Sequence, residues 1–259
     1  MDRTICFENI QNVRDLGGLR TGHGREIAKG LLFRSANLSG ATEADSEKLK
    51  HTCHLVKVID LRTGMEKEQK PDVSMRGVIY VENPIFDVRV IGISHEKTKQ
   101  DSQEKMPIPV MEDLYRMMVT NESCRKNLGK AVQIVKTHDF SEGSVLWHCT
   151  EGKDRCGLLS MVLLGALQVE REVIMEDYLL TNQVNGPKAE LYYQQMRKAG
   201  KSEAEAAAVK NVFLAKEAYL NAVFEAIEEQ YPNMEAFLTE GLEIPWEVIV
   251  EFREKMGVA

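Results

Sequence analysis

Residues 144–167 constrain the fold of this chain most, because they read as a buried strand joined through a short loop to a buried helix. Residues 144–148 (SVLWH) form an apolar run of strand length. Residues 158–167 (LLSMVLLGAL) are apolar on nearly every side of a helix, so this helix has no face suited to water. A strand followed directly by such a helix is typical of proteins in which helices cover a central sheet.

Three further apolar runs of strand length come earlier in the chain, at residues 30–34, 55–60 and 77–81. We expect these runs to lie in one buried sheet with the strand described above. Helical patterns come between and after them: residues 42–51 open with a capping sequence, and residues 111–120 carry a methionine-rich apolar stripe typical of core packing. The alternation of strands and helices predicts an α/β fold.

The chain shows no internal repeat and no Gly/Ser linker, so residues 1–259 are interpreted as a single domain. Residues 202–230 are rich in Ala, Glu and Lys and carry apolar residues at helical spacing, which is typical of long amphipathic helices. Residues 86–107 include the most polar segment of the chain, which predicts a mobile surface loop.

The chain has 33 Lys and Arg residues against 40 Asp and Glu residues, a formal net charge of -7. This balance argues against nucleic acid as a partner, because binding a polyanion requires a broad basic surface. No apolar run approaches the ~18 residues of a membrane-spanning helix. The first residues do not resemble a secretory leader, so a cytoplasmic location is the default expectation. Five widely spaced cysteines predict reduced thiols.

Residues 148–157 (HCTEGKDRCG) join the strand to the helix and concentrate reactive groups. Such a turn directs backbone N–H groups and the positive end of a helix at one point, where an oxyanion can bind. The same field lowers the pKa of a thiol at the first loop position, so Cys149 is a candidate nucleophile. Arg155 can hold two phosphate oxygens in its planar fork, and Gly152 permits a backbone conformation closed to other residues.

The same ten residues resemble the HCxxGKDRTG signature of the bacterial tyrosine phosphatases of dual or triple specificity, which act on phosphotyrosine and often on phosphoserine, phosphothreonine or phosphoinositides. Four other segments resemble elements of that family: residues 12–18 (NVRDLGG), 30–35 (GLLFRS), 58–63 (VIDLRT) and 177–182 (DYLLTN). The resemblance implies a three-layer α/β fold with a central, mainly parallel sheet flanked by helices and a C-terminal helical lid.

The resemblance also implies how the domain is divided. It places the core in about residues 1–182 and 231–259, with a lid-like helical insertion over about residues 187–230. An oligomer interface is an alternative role for these helices, and the sequence leaves the oligomeric state open.

In this interpretation Cys149 attacks phosphorus to form a phosphocysteine, and Arg155 and the loop N–H groups stabilise the phosphoryl group. Asp154 serves as general acid and later as base, with Asp87 on an upstream loop as the alternative acid. Lys153 is expected to be a second cation at the mouth, suited to a further phosphate. The other residues that the resemblance assigns to substrate binding are Thr150, Glu151, Gly152 and Cys156. Neither a metal nor a cofactor is expected.

Cys156 departs from the family pattern, which usually has Thr or Ser after the arginine. A thiol is a weaker hydrogen-bond donor than a hydroxyl, so we expect slower hydrolysis of the phosphocysteine than in a Cys156→Thr variant. Under oxidation, Cys156 and Cys53 are candidate disulfide partners of Cys149.

The leading hypothesis is a cysteine-dependent phosphomonoester hydrolase that acts on phosphotyrosine proteins or phosphoinositides. The alternatives are a phosphate-binding pseudophosphatase and a phosphatase specific for phosphoinositides. Asp60 and Arg62 are expected to form a structural ion pair or to brace the loop. A zinc site at His51, Cys53 and His54 is disfavoured, because no second pair of ligands stands at suitable spacing.

Overall fold

The computed structural model describes residues 3–86 and 110–259. In this part of the chain five strands form one sheet: β1 (Arg14–Asp15), β2 (Leu32–Ser35), β3 (Leu55–Asp60), β4 (Ile79–Glu82) and β5 (Ser144–His148). Their order is β1-β2-β5-β3-β4, with β1 antiparallel to β2 and all other neighbours parallel. The prediction of an α/β fold with a mainly parallel sheet is confirmed. Asp87, and the predicted surface loop beyond Phe86, lie outside the described residues.

The helices predicted over residues 42–51 and 111–120 begin and end close to the predicted positions. Helix α1 starts after a capping box formed by Thr42 and Asp45, and α3 coincides with the predicted residues 111–120. The helices are α1 (Glu43–His51), α2 (Gly64–Gln69), α3 (Met111–Thr120), α4 (Glu122–Lys136), α5 (Asp154–Ala166), α6 (Arg171–Leu179), α7 (Thr181–Lys198), α8 (Glu203–Phe213), α9 (Glu217–Glu228), α10 (Met234–Ala236), which continues into a π-helical turn (Phe237–Gly241), and α11 (Trp246–Lys255).

Two apolar cores cover opposite faces of the sheet. Successive side chains of a strand point to opposite faces. Accordingly, Val145 and Trp147 of β5 pack into the larger core, whereas Leu146 packs into the smaller one. Every residue of β5 is buried, and so are nearly all residues of α5. The strand and helix that flank the ten-residue loop are therefore buried, as predicted.

Strand β4 differs from the prediction of a fully buried sheet. It lies at the edge and pairs with β3 alone, and Ile79 at its start is 59% exposed. An apolar run of strand length does not distinguish an edge strand from a central one, because both have the same period.

The helices between residues 181 and 230 lie in two environments. Helix α9 is part of the larger core, where Tyr219 packs against Tyr115 of α3. Helices α7 and α8 pair with each other and leave much of their surface exposed. Within residues 3–86 and 110–259, every helix is too short or too polar to cross a bilayer.

Candidate active site

Cys149 follows the last residue of the central strand β5, and α5 begins five residues later. Strands β2 and β3 flank β5 in parallel, so the loop of residues 149–155, called here the signature loop, lies at the carboxyl edge of the sheet. Ligand sites of parallel α/β sheets form at this edge, because the loops of neighbouring strands meet there.

The backbone of the signature loop forms an anion cradle. The N–H groups of residues 150–155 donate to no acceptor within the described residues. The carbonyl oxygens of Thr150, Glu151 and Gly152 instead accept hydrogen bonds from side chains of the N-terminal segments. In a trans peptide the C=O and N–H groups point in opposite directions. The N–H groups of Glu151, Gly152 and Lys153 therefore point away from these side chains, beside the positive end of α5, an arrangement that binds anions.

Gly152 has the backbone conformation that the sequence predicts. Its φ of +66° lies in the left-handed region, and a Cβ atom at this position would be 2.6 Å from the carbonyl oxygen of Ser35. The loop can therefore pass this close to β2 only with glycine at position 152.

The thiol of Cys149 is activated by its surroundings. Burial would raise its pKa, but a hydrogen bond from Cys156 and the charge of Arg155 outweigh burial and lower the pKa from 9.0 to about 6. Near neutral pH the side chain is a thiolate, which is the nucleophilic form.

Cys156, in the first turn of α5, lies beside Cys149 in the larger core. Burial and the neighbouring Cys149 raise its pKa well above the ordinary value, so Cys156 keeps its proton and can donate it. Its sulfur also lies 3.6 Å from the carbonyl oxygen of Ser35 and 3.8 Å from that of Trp147. All five cysteines are free thiols.

Cys53 is excluded as a disulfide partner of Cys149. Its carbonyl oxygen accepts a hydrogen bond from the Ser144 hydroxyl at 2.7 Å, which places Cys53 at the start of β5. Five residues of strand separate Ser144 from Cys149, about 16 Å. A disulfide requires Cα atoms within about 7 Å. The expectation that Cys53 could pair with Cys149 is therefore wrong.

Arg155 is held by a carboxylate that no pattern in the sequence indicates. Its Nη1 and Nη2 donate to the two carboxylate oxygens of Glu66, at 2.6 and 2.7 Å. Although burial opposes ionisation, these bonds and the charge of Arg155 hold the pKa of Glu66 well below its ordinary value. The capping sequence Thr63-x-x-Glu66 predicts the start of a helix, but it gives no sign that Glu66 also reaches the signature loop. The bidentate pair fixes the plane of the guanidinium.

Asp154 is the first residue of α5 and is contacted by two donors. Its Oδ1 accepts the hydroxyl of Tyr115 at 2.6 Å and lies 3.2 Å from the Lys153 ammonium. The Tyr115 hydroxyl also lies 2.6 Å from that of Tyr178. Tyr115 therefore fixes the orientation of the carboxylate, a role for which the sequence offers no signal, because Tyr115 belongs to an ordinary apolar stripe of α3.

Lys153 does not lie at the mouth, contrary to the expectation. The side chain is buried, and its ammonium donates to the carbonyl oxygens of Val212 and Leu214, the latter at 3.3 Å. These carbonyls belong to the end of α8 and the turn that follows it. Lys153 therefore joins the signature loop to the C-terminal helices.

Glu151 forms a second connection to these helices. Its Oε1 accepts the ammonium of Lys188 on α7 at 2.5 Å. The same ammonium lies 5.5 Å from the centre of the Phe213 ring, which stacks on Tyr192 at 4.6 Å. Helices α7 and α8 thus bring a cation and two aromatic rings to the edge of the signature loop.

A network of buried charges lies beside β3 and β5. Arg62 Nη2 lies 2.8 Å from Asp60 and 2.9 Å from Asp72, and His148 Nε2 lies 3.0 Å from Asp72. The expected ion pair of Asp60 and Arg62 is confirmed. Asp60, Asp72 and His148 lie close enough together to hold a metal ion, but the guanidinium of Arg62 already lies between the two carboxylates and pairs with both.

Three segments that resemble the phosphatase family meet behind the signature loop. Asp177 contacts the guanidinium groups of Arg3, Arg14 and Arg34, at 2.9, 3.4 and 3.0 Å. Three cations and one carboxylate carry a formal charge of +2. Arg34 also donates to the carbonyl oxygen of Gly152 at 2.8 Å. This cluster supports the signature loop and adds a positive potential behind it.

Comparisons with known proteins find phosphatases that are similar to this chain. A protein of Cupriavidus necator whose name places it among the tyrosine-protein phosphatases is 28% identical over 241 residues, which cover 93% of this chain and 84% of that protein. The triple specificity protein phosphatase PtpB of Mycobacterium tuberculosis is 26% identical over 199 residues, which cover 66% of each protein. A crystal structure of TpbA from P. aeruginosa aligns with a TM-score of 0.31 at 12% identity, over 76% of this chain and 86% of that chain. The model of the tyrosine phosphatase family matches residues 5–257, and the chain therefore belongs to the tyrosine phosphatase family.

Proposed function

We propose that Cys149, Arg155 and Asp154 carry out the phosphomonoester hydrolysis of this cysteine-dependent phosphatase. One observation carries the proposal: a thiol with a pKa of about 6 begins a loop whose next six N–H groups have no acceptor within the described residues. A nucleophile and a cradle for three phosphate oxygens therefore occupy the same loop.

In the first step the Cys149 thiolate attacks phosphorus and the bond from phosphorus to the leaving oxygen breaks. Arg155 and the loop N–H groups stabilise the charge on the equatorial oxygens of the phosphoryl group. Glu66 already fixes the plane of the guanidinium through both Nη atoms, so the orientation of Arg155 is set before the phosphoryl group binds.

Asp154 supplies the proton that the leaving oxygen requires. In the second step it accepts a proton from the water that attacks the phosphocysteine, and phosphate and the Cys149 thiolate are released. Its position at the start of α5, with Oδ1 held by Tyr115, supports this role. Asp87 is the alternative acid and lies outside the described residues.

We infer that protein phosphomonoesters, phosphotyrosine above all, are preferred to phosphoinositides. The lysines nearest the loop carboxylates are already engaged, Lys153 with Asp154 and Lys188 with Glu151. A further phosphate on an inositol ring would have to displace one of these pairs. Tyr192, which stacks on the buried Phe213, is exposed and offers an aromatic ring to such a substrate. Higher kcat/KM on phosphoinositides than on phosphotyrosine peptides would reverse this preference.

We also propose that α7 and α8, rather than the whole of residues 187–230, form the lid-like cover of the site. The connections of Glu151 to Lys188 and of Lys153 to Val212 and Leu214 support this role. Helix α9 is a core helix by its burial.

Turnover of para-nitrophenyl phosphate tests the proposed roles. We expect Cys149→Ser to remove turnover, Arg155→Lys to reduce it by more than about 100-fold and Asp154→Asn to reduce kcat by about 100-fold. Glu142→Gln, at an exposed residue before β5, serves as the matched control. A chelator is expected to leave turnover unchanged.

Four results would contradict the proposed roles. Turnover by Cys149→Ser would exclude the phosphocysteine, and turnover abolished by chelator would indicate metal-dependent hydrolysis. Phosphate binding without turnover by the unmodified protein would identify a pseudophosphatase. Full activity in Asp154→Asn would show that another residue is the general acid, and Asp87→Asn would then be the variant to measure.

A further inference from the structure

Asn12 lies behind the signature loop in a conformation that few residues adopt. Its φ is +58°, in the left-handed region, and its side chain is buried. Among residues with a side chain, asparagine tolerates this region best. Glycine would tolerate it better, so the backbone alone does not explain why asparagine occupies position 12.

The Asn12 amide makes three contacts that use both of its ends. Its Nδ2 donates to the carbonyl oxygens of Glu151 and Gly152, each at 3.1 Å. Its Oδ1 accepts from Nη1 of Arg14, which also contacts Asp177 and Thr181. Because a guanidinium only donates, it sets the orientation of the amide: oxygen towards Arg14 and nitrogen towards the loop.

We propose that Asn12 is a positioning residue for the phosphatase reaction, one that holds two peptide planes of the signature loop in their anion-binding orientation. A peptide plane whose carbonyl faces Asn12 directs its N–H to the opposite side. The carbonyl of Glu151 is thereby coupled to the N–H of Gly152, and the carbonyl of Gly152 to the N–H of Lys153. The inference rests on the proposed function, because those N–H groups are assigned to the phosphoryl oxygens.

The need for such a residue follows from the loop itself. Gly152 is the most freely rotating residue of the loop, and both peptide planes that Asn12 holds adjoin it. Without a donor behind them, these planes can rotate and turn their carbonyl oxygens towards a bound phosphate. Arg34 holds one of the two carbonyls, that of Gly152, at 2.8 Å, whereas the carbonyl of Glu151 has Asn12 as its donor.

Two substitutions separate the amide from the backbone. Asn12→Asp keeps the shape of the side chain and the contact with Arg14 but removes both N–H donors. Asn12→Gly removes the side chain and relieves the left-handed backbone. Asn9→Asp, at an exposed residue of the same segment, serves as the matched control. Thermal unfolding of each variant establishes that the fold is retained, and Asn12→Gly decides the question if Asn12→Asp does not fold.

Three measurements test the proposal: kcat and KM with para-nitrophenyl phosphate, the affinity for tungstate by calorimetry, and the pH midpoint of Cys149 alkylation. Loss of one oxyanion donor costs about 100- to 1,000-fold in kcat. Misdirecting two donors that remain in place should cost both Asn12 variants about 10- to 100-fold in kcat, more than it changes KM. We also expect weaker tungstate binding and a higher midpoint for Cys149. Asn9→Asp should match the unmodified protein.

The proposal is overturned if both folded variants keep the kcat and tungstate affinity of the unmodified protein. It is also overturned if kcat falls while tungstate affinity and the Cys149 midpoint stay unchanged, because the amide would then act elsewhere. A failure of the proposed function is recognised separately: the unmodified protein would show no turnover, and tungstate titration of the variants would still report on the loop.

Discussion

Cys156 offers the most direct test of how the signature loop activates its thiol. A hydrogen bond between the two thiols is the largest influence that lowers the Cys149 pKa, and the Cys156 sulfur also lies within reach of the carbonyl oxygens of Ser35 and Trp147. Cys156→Ala removes the donor, whereas Cys156→Ser replaces it with a hydroxyl, a stronger donor of similar size. The two variants should therefore move the Cys149 pKa in opposite directions.

The size of the effect follows from the structure. The fall in the Cys149 pKa from 9.0 to about 6 corresponds to roughly 4 kcal/mol in favour of the thiolate. A hydrogen bond to a charged group contributes about 1.5–3 kcal/mol, and a weak S–H donor about 1 kcal/mol. Cys156→Ala should therefore raise the Cys149 pKa by about 0.7 units. Cys156→Ser should lower it by ~0.5–1 units below its value in the unmodified protein.

The assay is the pH dependence of Cys149 alkylation by iodoacetate, in a background that carries Cys6→Ser to remove the exposed thiol. Cys53 contributes little, because burial raises its pKa to about 11. The rate follows the thiolate fraction, so it falls as pH drops through the Cys149 pKa. The midpoint should lie near pH 6 in the unmodified loop, higher in Cys156→Ala and lower in Cys156→Ser.

Equal midpoints in the three proteins would refute this account of the thiolate and leave Arg155 and the loop N–H groups as its cause. The same series tests the second chemical step. A hydroxyl at position 156 stabilises the departing thiolate better than a thiol does, so burst kinetics of Cys156→Thr and Cys156→Ser should show faster breakdown of the phosphocysteine.

Three further predictions concern residues around the site and the core. Glu66→Gln removes the countercharge of Arg155 and should reduce kcat/KM by about 10- to 100-fold in steady-state kinetics, with exposed Glu68→Gln unchanged. In Gly152→Ala the new methyl group would clash with the Ser35 carbonyl, so the free energy of unfolding should fall by about 2–4 kcal/mol. Gly24 also has a left-handed backbone but has no atom within 4 Å of a new methyl group, so Gly24→Ala should lower the free energy of unfolding less. Burial and the charge of Arg253 lower the pKa of Lys136 from 10.5 to about 7, so the unfolded chain binds the extra proton between these values and stability rises with pH across them. Lys136→Met should therefore stabilise the protein most below that window, by about 3–5 kcal/mol, and urea unfolding at several pH values would contradict this if the gain were the same at every pH.

The sequence predicts the centre of the molecule well because its signals there are local. The period and burial of residues 144–148 and 158–167 suffice to place β5 and α5, and the turn between them is predicted from strand, glycine and helix alone. The exposed edge strand β4 and the antiparallel β1 are not predicted in the same way. Pairing partners and edge position depend on contacts between distant residues, which a period of two does not encode.

The partners of the loop side chains depend on such distant contacts too. Glu66 is 89 residues from Arg155, and Lys153 is 59 residues from Val212. The expectation that Lys153 lies at the mouth treats it as a second cation of a phosphate-binding loop, suited to a further phosphate. Lys153 is buried instead, because its ammonium donates to backbone carbonyls at the end of α8. These carbonyls are distant in the sequence, so no local pattern indicates the contact.

The cations of the site are paired with carboxylates, so the backbone must supply much of the attraction by which this acidic protein binds an anion. Arg155 faces Glu66, Lys153 faces Asp154 and Lys188 faces Glu151, so these three cations add little net charge to the site. The attraction for a phosphoryl group must then come mainly from the loop N–H groups, the end of α5 and the excess charge of the arginines around Asp177. These sources are fixed in the fold and act over a short range, so they favour one phosphoryl group held at the loop over a long polyanion. Preserving the orientation of the loop backbone is therefore as important to this site as preserving its charged residues.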